Sequence, residues 1–309
     1  MKGLNAEDRG CIVRQHWEDL LDPVVVGVDA KRFDQHTGRP ALKYEHKVYM
    51  RHCPKNRRRR LKWLLNMQLT TYGNCYTKTG NIRYKIPGGR CSGDVNTSMG
   101  NIIIMCHLFY DYLESLNIRY RFVNDGDDGL IFIERDDLNK LSGMTEWFET
   151  YGYRMSTEEA VDVFEHIEFC QCHPVWDGEM WIMCRHPDVV LTRDAYTTKS
   201  VETKGQWDYY RSAIGNCGIA CTGGIPVLQS FYLSMTKDGK SVRSQDTSTG
   251  LYWMALGLDR VVKPIHPSAR LSFFKAFDIT PDEQIVLEQS YSRCQPRYEP
   301  AGTHQYLRI

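Results

Sequence analysis

The chain has 309 residues, 42% hydrophobic and 25% charged, ordinary globular proportions that allow one large domain or two to three subdomains with a sizeable core. With 39 Lys and Arg against 38 Asp and Glu the net charge is +1, so the whole-chain balance carries no nucleic-acid signature and any such role rests on local charge. The 11 Cys form no dense framework, no apolar leader opens the chain, and the longest apolar run, around Ile102 to Tyr110, is too short for a bilayer, so the chain reads as intracellular, with reduced thiols and no membrane segment.

In chain order, Pro23 to Ala30 (PVVVGVDA) is a short β-branched apolar run with the length and flanks of a buried strand. It carries Asp29 near its end and is followed by Lys31, Arg32, Phe33 and Asp34. Gly38-Arg39-Pro40 breaks the chain, and Ala41 to Met50 reads as a helix. Residues 51 to 62 hold Arg51, Lys55, Arg57, Arg58, Arg59, Arg60 and Lys62 and no acid, while Leu61, Leu64, Leu65 and Met67 form a helical apolar face. Residues 72 to 93, rich in Gly, Thr, Tyr and Lys, predict a hairpin and loop. A long helix is expected from Thr97 to Leu116, with Ile103, Cys106, His107 and Tyr110 on one face. Arg119 to Val123 and Gly129 to Glu134 read as the strands of a hairpin that turns at Asn124-Asp125-Gly126. Asp137 to Tyr151 predicts a helix, and Tyr153 to Met155 a short strand. Beyond residue 176 the pattern is more helical. There Thr280-Pro281-Asp282-Glu283 supplies an N-cap, a first-turn proline and a capping-box partner, and Thr236 to Gly250 reads as a polar surface loop. A small antiparallel sheet with helices on one side is an α+β pattern.

Three acids stand out. Asp29 sits at a strand end, and Asp127 and Asp128 at a hairpin tip. Strands paired in one sheet can bring Asp29 and Asp127 together. Like charges at close range repel. Mg²⁺ relieves that cost, since it takes oxygen ligands, typically one or two carboxylates plus substrate phosphates. Two such ions, about 4 Å apart, activate an attacking hydroxyl and stabilise a leaving pyrophosphate. Alone, Gly126-Asp127-Asp128 fits a solvated turn as well.

The second string is Ser92-Gly93-Asp94-Val95-Asn96-Thr97-Ser98-Met99-Gly100-Asn101. Ser92-Gly93 makes a flexible turn. Thr97 and Asn101, four apart, share a helix face and can bond a sugar hydroxyl. A simple Ser or Thr N-cap explains one hydroxyl residue but not the string. Cys170, Cys172 and His173 resemble zinc ligands, yet no second cluster at suitable spacing completes a four-ligand site, and Cys217 and Cys221 fit a helix core. The run Arg57 to Arg60 fits either nucleic-acid phosphates or a solvated helix face. Arg185, Arg193 and Lys199 read as solvated surface, and Tyr209-Tyr210, Trp176 and Trp181 as core.

The order Asp29-x4-Asp34, then Ser92-Gly93-x3-Thr97-x3-Asn101, then Gly126-Asp127-Asp128 resembles motifs A, B and C of the RNA-dependent RNA polymerases of positive-strand RNA viruses. The nearest likeness is to the tombusvirus-type replicases. It extends over almost the entire chain, through Lys2-Gly3-Leu4-Asn5, Glu7-x-Arg9-Gly10, Phe33-Asp34-Gln35-His36, Met99-Gly100-Asn101, Asn124 to Asp128, Phe169-Cys170-Gln171 and Phe273 to Gln284.

The resemblance implies a right-hand polymerase: a palm of small antiparallel sheet with helices, a mainly helical thumb, and fingers largely missing. Its implied divisions are 1–22 as the remnant of the segment preceding the palm, 23–35 as palm with motif A, 36–90 as a fingers insertion, 91–175 as palm with motifs B to E, and 176–309 as thumb. It implies that Asp29, Asp127 and Asp128 are catalytic and hold two Mg²⁺ ions, with Mn²⁺ able to substitute. Asp34 and Asn101, with Ser92, Gly93 and Thr97, would read the nucleotide ribose, since a site built to bond a hydroxyl rejects a substrate lacking it. Phe169 to His173 resembles the primer-grip motif E, which makes Cys170 and Gln171 candidate RNA contacts beside Arg57, Arg58, Arg59 and Arg60. Arg185, Arg193 and Lys199 lie where such enzymes hold the initiating nucleotide. The implied partners are RNA template and product, ribonucleoside triphosphates, and an upstream replicase segment or viral co-factor. The implied location is the host cell cytoplasm, at membrane-bound replication complexes reached through other segments.

Relatives of this kind carry a basic motif F upstream, for which only Arg9 and Arg14 are candidates here, and a general acid after motif C, where only Arg154 stands near. The chain is therefore expected to be a fragment or the downstream product of a longer reading frame, weakly active or inactive alone. A reverse transcriptase would share the carboxylates but favours a bulky ribose gate, unlike Asp34 and Asn101. An RNA-binding accessory that has lost catalysis is at odds with intact Asp29, Asp127 and Asp128.

Overall fold

A computed structural model describes residues 1–194, 196–197, 201–236 and 250–294. Lys199 and nearly all of the loop expected between Thr236 and Gly250 lie outside the described residues. The chain forms two compact units. One comprises Met1–Lys2 and His16–Asp162, the other Gly3–Gln15 and the chain from Val163 onward. The first helix, α1 (Ala6–Glu18), contributes residues to both.

The first unit contains, in order, β1 (Pro23–Ala30), α2 (Phe33–His36), α3 (Arg39–His52), α4 (Arg58–Met67), β2 (Thr70–Thr77), β3 (Gly80–Pro87), α5 (Thr97–Ser115), β4 (Tyr120–Asp125), β5 (Asp128–Glu134), α6 (Met144–Thr150) and β6 (Met155–Thr157). Four strands form an antiparallel sheet in the order β4-β5-β1-β6. The β-branched run of β1 is central, with Val24, Val25, Val26 and Val28 all buried. Alternation sends Val24, Val26, Val28 and Ala30 to one face, with Ile131 and Ile133 of β5. That face packs against Ile104, Met105, Phe109 and Leu113 of α5 and Met144 and Phe148 of α6. Each such side chain contributes about 1.5–3 kcal/mol of apolar burial.

Three local expectations change. The buried face of α5 is Gly100, Asn101, Ile104, Met105, Phe109, Tyr112 and Leu113, whereas His107 and Tyr110 are exposed. This helix is apolar nearly all round, so its pattern points to no single face, and the sheet chooses one. The helix expected over 137–151 is a 3₁₀ stretch through Arg135–Gly143 that becomes α-helical only at Met144, because Asp, Asn, Ser and Gly disfavour regular helix there. Of the expected apolar face of α4 only Leu65 is buried, while Leu64 and Met67 are 45% and 60% exposed. Strands β2 and β3 make a separate two-stranded ribbon where a hairpin was expected.

The second unit contains the hairpin of β7 (Cys172–Trp176) and β8 (Trp181–Arg185), then α7 (Pro187–Arg193), α8 (Lys204–Thr222), α9 (Leu228–Thr236), α10 (Leu251–Met254), α11 (Pro267–Phe277) and α12 (Pro281–Arg293). Apart from β8, its described elements past residue 176 are helical, as the pattern predicts. The capping box at α12 is present: Thr280 Oγ1 accepts the Glu283 amide, and the Glu283 carboxylate accepts the Thr280 amide. The ring of Tyr232 lies against Gly218, where a Cβ would come within 2.0 Å of it. Its hydroxyl donates to Asp194, which Arg185 also pairs. Arg185 is therefore a largely buried ion-pair partner and not the solvated side chain expected, because an uncompensated Asp194 would be costly inside this core. Asp177 accepts from Arg260, and Lys263 lies 3.1 Å away. Burial pushes its carboxyl up, but Arg260 and the Met180 and Glu179 amides win and hold it at about 2. Tyr210 is buried as expected of core, whereas Tyr209 is 39% exposed. Among the described residues no helix is long and apolar enough to cross a membrane, and no disulfide links any of the cysteines.

Candidate active site

The acids expected to cluster meet at one end of the sheet in the first unit. Chain register brings them there. Asp29 stands directly opposite Asp128 on β5, and Asp128 directly opposite Asp125 on β4. Directly opposed residues share a face. Asp125, Asp128 and Asp29 therefore form a row on the face away from α5 and α6, and Ser156 of β6 extends it. The two-residue loop between β4 and β5 is Gly126-Asp127. Gly126 has φ 94°, the positive value that the first loop position of a type II′ turn requires. The turn hands Asp127's carbonyl to the Ala30 amide at 3.2 Å, which ties the tip to the end of β1.

The electrostatics follow from this geometry. Asp29 is half-buried, and burial raises its carboxyl above the ordinary carboxylate value. The Asp127 charge raises it further, and Lys31 offsets part of the rise. Two acids enter that sequence reasoning did not single out. Asp125 lies 3.7 Å from Lys2 Nζ and joins the row through the register alone. Glu158 hangs over Gly27 of β1, where a Cβ would lie 2.0 Å from its Oε2. Gly27 was the available signal, an unexplained glycine inside a β-branched strand. Among the described residues no group of three His, Cys, Asp or Glu is arranged to hold a metal ion.

In α2, which follows β1 in the chain, Asp34 accepts from Ser92 Oγ at 2.5 Å and from Asn101 Nδ2 at 2.8 Å. The structure thus joins Asp34, Ser92 and Asn101 across 58 and 67 residues of sequence. Thr97 is not part of that cluster, because its hydroxyl donates to the Cys91 carbonyl at 2.9 Å and closes the loop before α5. A Cβ at Gly93 would meet nothing within 4 Å, so the fold leaves its surroundings open.

What holds this loop was not legible as a motif. The Arg90 amide donates to the Asp34 carbonyl at 2.9 Å and the Gly89 amide to that of Thr37 at 3.0 Å. Arg90 forms an ion pair with Glu45 of α3, both side chains fully buried. Asn96 Nδ2 donates to Glu45 Oε1 at 2.7 Å, and Gln68 Nε2 donates to Asn96 Oδ1 at 2.6 Å. Asn96 is the N-cap residue of α5, yet its side chain caps nothing and braces the loop against α3 instead. Gly100 leaves room for the pair, since a Cβ there would lie 2.3 Å from Glu45 Oε1.

The remaining candidates are dispersed. Arg57 to Arg60 are all exposed on or beside α4. Arg154 is exposed, and its carbonyl accepts the Lys31 amide at 2.9 Å. In the second unit, Cys170 and Gln171 occupy a left-handed turn, φ 53° and 61°, that closes Phe169 onto Cys172. Arg9 lies 5.9 Å from the centroid of Phe169, and Arg14 5.0 Å from that of Phe164. Arg193 is exposed.

A family model described as viral RNA dependent RNA polymerase matches residues 1–299. The chain is 43% identical over 295 residues to the RNA-directed RNA polymerase of Tobacco necrosis virus (strain A), covering 94% of this chain and 40% of that protein. It is 39% identical over 299 residues to that of Melon necrotic spot virus, covering 94% and 37%, and 38% identical over 298 residues to that of Cucumber necrosis virus, covering 95% and 36%. It spans about two fifths of the length of these relatives.

Proposed function

The chain belongs to the viral RNA-dependent RNA polymerase family, and from that premise we propose that it carries the nucleotidyl-transfer centre of an RNA-directed RNA polymerase, with Asp29, Asp127 and Asp128 as its carboxylates. The observation that carries the reading is the sheet register, Asp29 opposite Asp128 with the Asp127 carbonyl on the Ala30 amide. The donor set fits a divalent cation. It is all carboxylate oxygen, and the burial and like charge that raise Asp29 are costs a cation removes. Mg²⁺, or Mn²⁺ in its place, would be held by Asp29 and Asp127 with support from Asp128. When bound, as two ions in this reading, it would offset charge between these carboxylates and the substrate phosphates.

In this reading the 3′-hydroxyl of growing RNA attacks the α-phosphate of a ribonucleoside triphosphate. A phosphodiester bond forms and the bond to pyrophosphate breaks. Asp34, held at both oxygens by Ser92 and Asn101, keeps lone pairs free to accept a ribose hydroxyl. Ser92, exposed beside it, can turn its own hydroxyl to the same group. A deoxyribonucleotide could not make this additional bond. RNA and ribonucleoside triphosphates are thus the proposed partners.

The test is labelled ribonucleotide incorporation on an RNA template with Mg²⁺ or Mn²⁺. It uses this chain, and the Tobacco necrosis virus protein with this chain in place of its matched segment. We expect template-dependent synthesis in the longer form and its loss with Asp127→Asn. Undiminished synthesis by Asp127→Asn would overturn the assignment. Asp34→Ala is expected to lower the preference for ribonucleotides over deoxyribonucleotides roughly tenfold or more. A wild-type preference for deoxyribonucleotides would instead favour a reverse transcriptase.

A further inference from the structure

Residues 46 to 93 contain 12 Lys and Arg and no Asp or Glu, in a chain whose net charge is +1. Positive charge is therefore segregated, and part of it sits on the β2–β3 ribbon. The ribbon stands in solvent. Every residue of β3 is exposed, and Tyr72 and Tyr76 of β2 are each 70% exposed.

Its two faces differ chemically. The register pairs Tyr72 with Lys85, Asn74 with Arg83, and Tyr76 with Asn81. Directly paired residues share a face, so one side of the ribbon presents two aromatic rings, two cations and two amides. Lys85 Nζ lies 5.3 Å from the Tyr72 ring centroid, so cation and ring act at one spot. The other side carries Cys75, Ile82 and Ile86, with Tyr84 folded over Gly73, where a Cβ would lie 1.9 Å from its ring. The base of the ribbon is fastened to α3. Arg39 Nε donates to the Leu69 carbonyl at 2.7 Å, and Arg39 Nη2 donates to Thr70 Oγ1 at 2.8 Å.

We propose that the face formed by Tyr72, Asn74, Tyr76, Asn81, Arg83 and Lys85 binds single-stranded RNA, on a sheet other than the one that carries the carboxylate row. Unpaired bases stack on the two tyrosines, and Arg83 and Lys85 meet the phosphates. An extended ribbon with alternating rings and cations suits a strand whose base faces are open. A duplex hides those faces, and an acidic peptide would satisfy the cations but leave the rings unused. The proposal deepens the polymerase reading by naming a second RNA contact, and rests on it for the choice of RNA.

The test is fluorescence anisotropy of the full chain with a labelled single-stranded RNA, the same RNA as a duplex, and a polyglutamate peptide, across a salt series without nucleotide or divalent metal. The variants are Tyr72→Ala with Tyr76→Ala, Arg83→Gln with Lys85→Gln, and Ile82→Ser on the opposite face, each checked for folding by circular dichroism. The tyrosine pair is expected to weaken single-strand binding about tenfold or more at unchanged salt dependence. The charge pair is expected to reduce the slope of log affinity against log salt by about 1.4. Ile82→Ser is expected to bind as the wild type does. Unchanged affinity in the tyrosine pair would overturn the proposal, as would duplex or polyglutamate bound as tightly as the single strand. The assay needs no catalysis, so Asp127→Asn should bind normally. Normal binding by the hairpin variants beside active synthesis would remove this surface and keep the polymerase. Weakened binding beside absent synthesis would do the reverse.

Discussion

Asp29→Asn is expected to reduce nucleotide incorporation by about 10³-fold or more while leaving the metal-free protein at least as stable at neutral pH. The activity loss follows if Asp29 helps place several kcal/mol of charge stabilisation at the reacting phosphate. The stability effect has the opposite sign because of where Asp29 sits. Burial first, and the Asp127 charge second, raise its folded pKa above the ordinary value. The folded protein then holds a proton that the unfolded chain has released. The stabilising contribution of that proton is complete below the unfolded value, about 3.9, and is lost as pH rises through the raised folded value. At neutral pH the ionised carboxylate is a cost, which a neutral amide of the same shape removes. Urea unfolding of wild type and Asp29→Asn between acid and neutral pH reads this directly. The variant should gain most at neutral pH, and the gap should close in acid. Mg²⁺ should stabilise the wild type, by about 2.7 kcal/mol at one hundred times its dissociation constant, and the variant far less. A variant destabilised at neutral pH without metal, or equal Mg²⁺ stabilisation of both proteins, would contradict this account of the row.

Arg90→Met is expected to destabilise the first unit by about 3–5 kcal/mol. It would leave the Glu45 carboxylate fully buried without its guanidinium, while the Asn96 bond remains. The cost arises from stranding a charge and not from losing a strong bond, so Glu45→Leu added to Arg90→Met should recover much of it. A simple packing defect would make the double variant worse than either single one. The second readout is functional. Arg90 carries the amide that bonds the Asp34 carbonyl, and Asn96 is braced by the same Glu45. Loosening the pair should therefore weaken discrimination between ribonucleotides and deoxyribonucleotides even where the protein remains folded. Urea unfolding gives the first quantity and paired incorporation assays the second. Wild-type stability in Arg90→Met would overturn this account of the pair.

Local signals carry a fair part of this protein. The β-branched run of β1, the hairpin of β4 and β5 and the capping box of α12 are written in period-two alternation, turn glycine and cap chemistry, each read over a few neighbouring residues. The order of acidic and hydroxyl residues is likewise a property of the chain alone. The tertiary structure decided the rest. It chose the buried face of α5, because a helix apolar nearly all round offers several and only the sheet selects one. It added Asp125 and Glu158 to the face of Asp29, through strand register and through the gap at Gly27. It turned Arg185 from an expected surface charge into the partner of Asp194. It joined Glu45 to Arg90 across 45 residues and Asp34 to Asn101 across 67, pairings that no local pattern encodes. The physical reason is common to all of these. Propensity and periodicity act between neighbours in the chain, whereas the partner of a buried charge is whichever complementary group the packed fold brings within hydrogen-bond reach.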